Sequence, residues 1–314
     1  MTHGGSLHST LLVAAFALCG LLALASCTGT DERSHDPRHH PAALEPAGAP
    51  APVRHVGPQG RIGQFVIHCG FSHRAPDDPI VHPDRPGLSH SHDFFGNTGT
   101  DAHSDLTSLL DEDTTCQSRT DTASYWAPTL LADGEPVEPT SSAAYYRPAP
   151  GVSPDAVQAH PPGLMVVAGD ATATTPQDSD LAGWACGVSA RQYATPPACS
   201  PTTPLRAVIT FPDCWDGEHL DSADHRSHMA NSIDGACPDP HPVHVPQLTF
   251  AITYPIWGER DDLMLSSGTT MSLHADFFNS WDQDELERRV ELCIRGDRVC
   301  SLASNRSEAP RFGA

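Results

Sequence analysis

Lysine is missing from this 314-residue chain: all 18 basic side chains are arginines, against 39 aspartates and glutamates, for a formal charge of -21. A surface this acidic repels nucleic acid and anionic lipid, since both are held through basic contacts. It leaves neutral sugars and cations as partners. Missing lysine beside abundant Ala, Pro, Gly, Arg and Asp reads as coding bias rather than chemistry. Aromatics are scarce, at 6%. There is no C-x-x-C, which argues against a zinc ribbon or a thioredoxin-like redox centre. The chain also lacks G-x-S-x-G, H-E-x-x-H, a P-loop and G-x-G-x-x-G, so the common serine-hydrolase, zinc-peptidase and nucleotide-binding chemistries have no support. Past the N-terminus no run approaches the ~20 apolar residues of a membrane helix.

What is present begins with an export segment. Residues 11–25 are apolar apart from Cys19 and Gly20 and lead into Leu24-Ala25-Ser26-Cys27. The length suits a signal peptide, and the ending resembles a bacterial lipobox, whose cysteine takes a diacylglycerol. The segment before residue 11 departs from that pattern by having no Arg or Lys, only His3 and His8. The alternative is an ordinary secretory signal. The reading is a lipoprotein signal peptide over 1–27 with lipid on Cys27, holding the protein at the outer face of the cytoplasmic membrane. Residues 28–60, rich in Pro, Ala, His, Asp and Gly, cannot bury enough apolar surface to fold and read as a disordered tether. A single globular domain is expected over 61–302, and a flexible tail over 303–314.

Eight further cysteines, Cys69, Cys116, Cys186, Cys199, Cys214, Cys237, Cys293 and Cys300, form an even set. In an exported domain that means four disulfides, although eight cysteines allow 105 pairings. Local closure favours Cys186–Cys199, Cys214–Cys237 and Cys293–Cys300, leaving Cys69–Cys116. Short β-branched or aromatic runs at 62–68, 125–131, 163–168, 205–211, 247–254 and 270–274 predict strands. Leu286, Val290 and Ile294, with Asp282 or Asp284 as cap and Gly296 as stop, predict a helix over 284–295. Thirty prolines argue for long irregular loops and against a helical bundle. The expected fold is mainly β: a sandwich-like single domain with long disulfide-stapled loops and a C-terminal helix.

Three segments carry chemistry. The first holds His73 and then His90-Ser-His92, which face one way in extended chain. The second is Cys214-Trp215-Asp216-Gly217 followed by Asp221-Ser-Ala-Asp224-His225-Arg-Ser-His228. There His225 and His228 share a face in a helical turn, with two carboxylates near enough to orient them or bind a cation. The third is His274-Ala-Asp276-Phe-Phe-Asn279-Ser-Trp281. Loops fixed by a rigid scaffold are where binding concentrates, so His73, His90, His92, Asp221, Asp224, His225, His228, His274 and Asp276 are expected to converge on one polar cleft. The bland alternative is a local network confined to residues 221–228.

At these segments the chain resembles the domain-of-unknown-function family nineteen-ninety-six, found in exported proteins of filamentous fungi and high-GC Gram-positive bacteria. The resemblance is carried by Ser89-His-Ser-His-Asp-Phe-Phe-Gly96, Thr114-Thr-Cys116, Ser124-Tyr-Trp-Ala-Pro128, Tyr145-Tyr146, Pro162-Gly-Leu164, Phe211-Pro-Asp-Cys-Trp-Asp-Gly217, Asp221-Ser-Ala-Asp-His-Arg-Ser-His228 and His274-Ala-Asp-Phe-Phe-Asn-Ser-Trp281. Ser280 stands where the family usually has Gly. The resemblance implies export, one domain and a His/Asp-rich surface, and supplies no reaction.

The leading expectation is therefore an extracellular protein acting on polysaccharide, such as cell-wall glycan. Asp216, Asp221, Asp224 or Asp276 would serve as acid and base, as glycoside cleavage requires. His225 and His228 would shuttle protons. His73, His90, His92, His274 and Asn279 would orient substrate, and Trp126, Trp215 and Trp281 would stack on sugar faces. The alternative is a non-catalytic glycan- or metal-binding surface protein; a third reading, a structural envelope protein, predicts no cleft. No motif fixes a cofactor, though a divalent cation suits the His/Asp sets.

Overall fold

The structure, a computed structural model, describes residues 62–300. The signal peptide with Cys27, the tether and the tail lie outside them. The eleven principal strands are β1 (Gln64–Cys69), β2 (Phe71–Ala75), β3 (His92–Gly96), β4 (Ser124–Pro128), β5 (Ser141–Arg147), β6 (Met165–Gly169), β7 (Ala182–Cys186), β8 (Leu205–Thr210), β9 (Gln247–Thr253), β10 (His274–Phe278) and β11 (Val299–Cys300). One sheet runs in the order β11-β1-β5-β9-β8-β7, the other β2-β3-β4-β10-β6. All pairings in both are antiparallel except β1 with β11.

The fold is mainly β, as the short apolar runs and scattered prolines predict. Alternation along the strands sends Phe65, Ile67, Tyr146, Leu248, Phe250 and Ile252 inward from one sheet, and Phe95, Tyr125, Val166, Ala275 and Phe277 inward from the other. The two layers meet through stacked Tyr125 and Phe250 (5.3 Å between ring centres) and edge-on Phe95 and Phe250 (5.4 Å). Each such fully buried aromatic contributes about 1.5–3 kcal/mol.

The five-stranded sheet is covered on its outer face as well. Phe94, Trp126, Val167 and Phe278 point away from the main core and pack with Ile80 and Leu109. Leu109 lies on α1 (Leu106–Asp111), whose N-cap Asp105 accepts from the Ser108 N–H. This second layer explains why β3, β4 and β10 are buried along their whole length. It also sets the site, because His92, His274 and Asp276 project onto that covered outer face.

All four disulfides join the expected pairs: Cys186–Cys199, Cys214–Cys237 and Cys293–Cys300, favoured by closure, and Cys69–Cys116, the pair left over. Two elements differ from expectation. Residues 270–274 were expected as strand, but Thr270–Ser272 is a 3₁₀ turn capped by the Thr269 hydroxyl, and the strand starts at His274. The C-terminal helix is α-helical over Gln283–Arg289, capped by Asp282, and then widens into a π turn over Val290–Arg295. In that turn the Gly296 N–H donates to Glu291 O at 2.9 Å, five residues back.

Candidate functional site

Two strands, β3 and β10, supply the centre of the site, with β4 between them. Across the outer face of the five-stranded sheet, His92 on β3 lies opposite Pro128 on β4, and His274 on β10 opposite Gly169 on β6. One row along, Phe94 faces Trp126, Trp126 faces Asp276, and Asp276 faces Val167. Gly169, at φ 78°, lets β6 come close: a Cβ there would lie 2.5 Å from Leu273 O.

His92 and His274 are buried and their ring centres are 5.9 Å apart; half-buried His90 reaches in from just before β3, 4.2 Å from the His92 ring and 5.0 Å from that of His274. His92 donates from Nδ1 to Asp77 O at 2.9 Å, and His274 from Nδ1 to Ser272 O at 2.8 Å. Because a carbonyl can only accept, both Nδ1 atoms carry the proton, and both Nε2 atoms are left with free lone pairs. The Nε2 of His274 lies 3.2 Å from Nε2 of His90, while Nε2 of His92 is buried with no hydrogen-bond partner. One ligating atom from each of the three imidazoles falls within 4.8 Å of the other two.

Carboxylates complete the set. Asp78, His92 and Asp276 likewise bring ligating atoms within 4.8 Å of one another. Asp78 has one oxygen fixed by the N–H groups of Ile80 and Val81. Asp276, 1% exposed, has neither oxygen hydrogen-bonded, and the Trp126 Nε1 beside it is also unpartnered. Burial raises the Asp276 carboxyl well above the usual carboxylate range, with the Asp78 charge adding to it. Burial also holds His90 and His274 at about 4 and His92 well below its ordinary value, so all three imidazoles are neutral at neutral pH.

The remaining expected residues fall into three places. His73 stacks on Phe94 (4.7 Å) and donates to Thr100 O, packed one strand away from His92. Asp216, Asp221, His225 and His228 line a separate concavity of about 610 Å³ together with His219. In that segment Asp216 pairs with His219, Asp221 with His225, and Asp224 accepts from the N–H groups of Arg226 and Ser227. His228 is buried and donates to Met165 O at 2.7 Å. Only His225, whose charge acts on Asp78, links this segment's imidazoles to the centre. Trp126 and Trp281 are buried and expose no ring face to a sugar. Trp215 is half-buried, with its Nε1 on His219 O. Asn279 is buried and donates to His160 O and Pro161 O. Ser280 donates to Thr122 O at 2.7 Å.

Asp78 was not singled out from sequence, although it joins the centre. An Asp before Pro-Ile is a signal for a side chain capping its own following N–H groups, but nothing in Asp77-Asp78 distinguishes the buried residue from its neighbour. Against known families, residues 78–281 match the model described as "Domain of unknown function (DUF1996)". The chain belongs to this family. The matched stretch of this family member contains Asp78, His90, His92, His274 and Asp276. No curated protein and no solved structure matches the chain.

Proposed function

We propose that this protein binds a divalent transition-metal ion through His90, His92 and His274, with Asp276 and Asp78 as the carboxylate side of the centre. The observation that carries the reading is the orientation of His92 and His274. Each donates its Nδ1 proton to a backbone carbonyl and turns a bare Nε2 inward, the arrangement that holds histidine ligands on metals. Two nitrogens bound at about 2.0–2.1 Å to one tetrahedral ion are roughly 3.3 Å apart. The 3.2 Å between His90 and His274 fits that geometry. A cation would also satisfy the orphaned Asp276 carboxylate and the bare His92 nitrogen. Three imidazoles with carboxylate and no thiolate suit zinc or copper, whereas calcium and magnesium prefer all-oxygen sites.

Polysaccharide hydrolysis by paired carboxylates has less support. At Asp216 a raising effect of burial is outweighed by backbone N–H groups from Glu218 and His219, and Asp224 is held low by the Ser227 N–H and Ser222 hydroxyl. Neither is placed to donate a proton, and Asp276 is enclosed. The setting remains the one expected from sequence: an exported protein, lipid-anchored at Cys27, which a Cys27→Ala variant tests by moving from the membrane fraction or losing maturation. For the metal, the test is elemental analysis of purified protein after loading with zinc or copper and desalting. One ion per chain is expected, falling below 0.2 in His92→Ala and in His274→Ala, roughly the loss expected when a ligand of a three-imidazole site is removed. Equal metal content in wild type and both variants would overturn the reading.

A further inference from the structure

We propose that Ser222 is the nucleophile, and His228 its general base, of a second site that cleaves a small neutral ester; this goes beyond the metal-binding reading and does not rest on it. Both side chains line the separate concavity of about 610 Å³, a size that admits an acyl group with its alcohol. The turn that carries them is fixed at three points. Cys214–Cys237 closes the segment, the Met165 N–H donates to Leu220 O at 2.9 Å, and the Asp216 N–H donates to His228 O at 3.0 Å. Asp221-Ser222-Ala223 is no G-x-S-x-G elbow, but a serine–histidine pair is recognised by geometry rather than by sequence position.

The protons decide the pairing. His228 is buried and donates from Nε2 to Met165 O at 2.7 Å. A carbonyl can only accept, so in the neutral ring Nδ1 carries a bare lone pair. The Ser222 Oγ, half-buried, lies 2.9 Å from that nitrogen. It also lies 2.8 Å from Oδ1 of Asp224, and its single proton serves one of the two. That Asp224 oxygen already accepts from the Arg226 and Ser227 N–H groups. His228 Nδ1 has no other donor among the described residues, so the hydroxyl proton falls to it. Nucleophile, base and an oxygen that orients the base thus stand in series, each within hydrogen-bond reach of the next. Met165 O holds the ring where a carboxylate does so in the serine–histidine–aspartate arrangement.

In the first step the Ser222 oxygen attacks the ester carbonyl carbon as its proton passes to His228 Nδ1, and the carbonyl oxygen becomes an oxyanion. The Ala223 N–H, next along the chain in the wall of the same concavity, donates to no group among the described residues and is on hand for that oxygen. Collapse breaks the bond to the alkoxy oxygen. That oxygen leaves as the alcohol with the proton from Nδ1, and the acyl group stays on Ser222. Water then attacks the acyl carbon and gives a proton to Nδ1; the acid departs as Ser222 recovers that proton. His225 donates Nδ1–H to Asp221 at 2.9 Å, and its Nε2 has no partner among the described residues. The concavity therefore offers the water or the alcohol a further acceptor. A chain charge of -21 favours a neutral ester over an anionic one.

The test is run on the full chain in EDTA, which removes metal-driven hydrolysis. A fluorophosphonate probe should label the wild-type protein on Ser222, located by peptide mass spectrometry, and the unlabelled protein should hydrolyse p-nitrophenyl acetate. Ser222→Ala should abolish both, and His228→Gln should slow both about a hundredfold or more. Wild-type protein that is not labelled at Ser222, or is labelled there no faster than at its other serines, overturns the inference whether or not the variants fold. Labelling without hydrolysis of the acetate ester does so too, as does His228→Gln reacting at the wild-type rate. None of these results bears on the metal centre, which metal content decides.

Discussion

Replacing Asp276 by asparagine should stabilise the metal-free protein while removing most of its response to metal. Both Asp276 carboxyl oxygens are buried and without hydrogen-bond partners. Without a cation burial keeps this carboxyl protonated, so folding at neutral pH must take up a proton that the unfolded chain does not hold. That uptake and the two unsatisfied oxygens together cost about 3–5 kcal/mol, the range for a buried ionisable group left without its partner. Asparagine keeps the shape and takes up no proton, leaving an unsatisfied amide at about 1–3 kcal/mol. The difference favours the variant by roughly 2 kcal/mol, or about 4–8 °C in melting temperature for a domain of this size. Zinc reverses the order. At a free concentration of 100 times Kd it stabilises wild type by about 2.7 kcal/mol, and the variant, short of an anionic ligand, gains little. The assay is thermal unfolding of chelator-stripped protein, with and without zinc. A metal-free variant that melts below metal-free wild type, or one that gains as much from zinc as wild type does, refutes the argument.

Three further outcomes follow. Asp224→Ala and His219→Ala should retain full zinc stoichiometry, since both lie in the neighbouring concavity or turn; elemental analysis showing metal lost in either would place that segment in the centre. Asp121, buried beside Tyr125 and raised by burial to about 8, should make stability depend on pH. A raised folded pKa gives stability that is complete below the unfolded value of 3.8 and lost as pH rises through about 8. Asp121→Asn should therefore flatten the melting-temperature profile between those limits, and an unchanged profile would show that Asp121 is not its cause. Finally, loss of Cys69–Cys116, whose ends are 47 positions apart, should cost about 4 kcal/mol, and loss of Cys293–Cys300, 7 positions apart, about 2. Urea unfolding of the two double-serine variants checks the ranking.

Much of the architecture was legible because it depends on local signals. Alternating runs such as Leu205-Arg-Ala-Val-Ile-Thr and the sheer number of prolines point to a loop-rich β fold, and short closures between neighbouring cysteines single out three bridges and so the fourth. His90 and His92 could be paired from spacing alone, since two residues apart in extended chain share a face. Other features were decided only by the tertiary structure. The strand at 274–278 was read too early because Thr270-Met-Ser272 is apolar enough to pass as strand, while its 3₁₀ turn depends on a Thr269 cap that spacing does not reveal. The polar residues expected in one cleft fall into separate places: His73 lies on β2, His274 and Asp276 project from β10 beneath the covering loop, and the 221–228 turn is tied to the edge strand β6 by Met165. The burial of Trp126, and the choice of Asp78 over Asp77, follow from the second apolar layer of Ile80 and Leu109 across the outer face. The sequence by itself determined which side chains and cross-links were on hand. Their assembly into a centre depended on which face of which strand was covered, a long-range packing outcome that residue spacing does not encode.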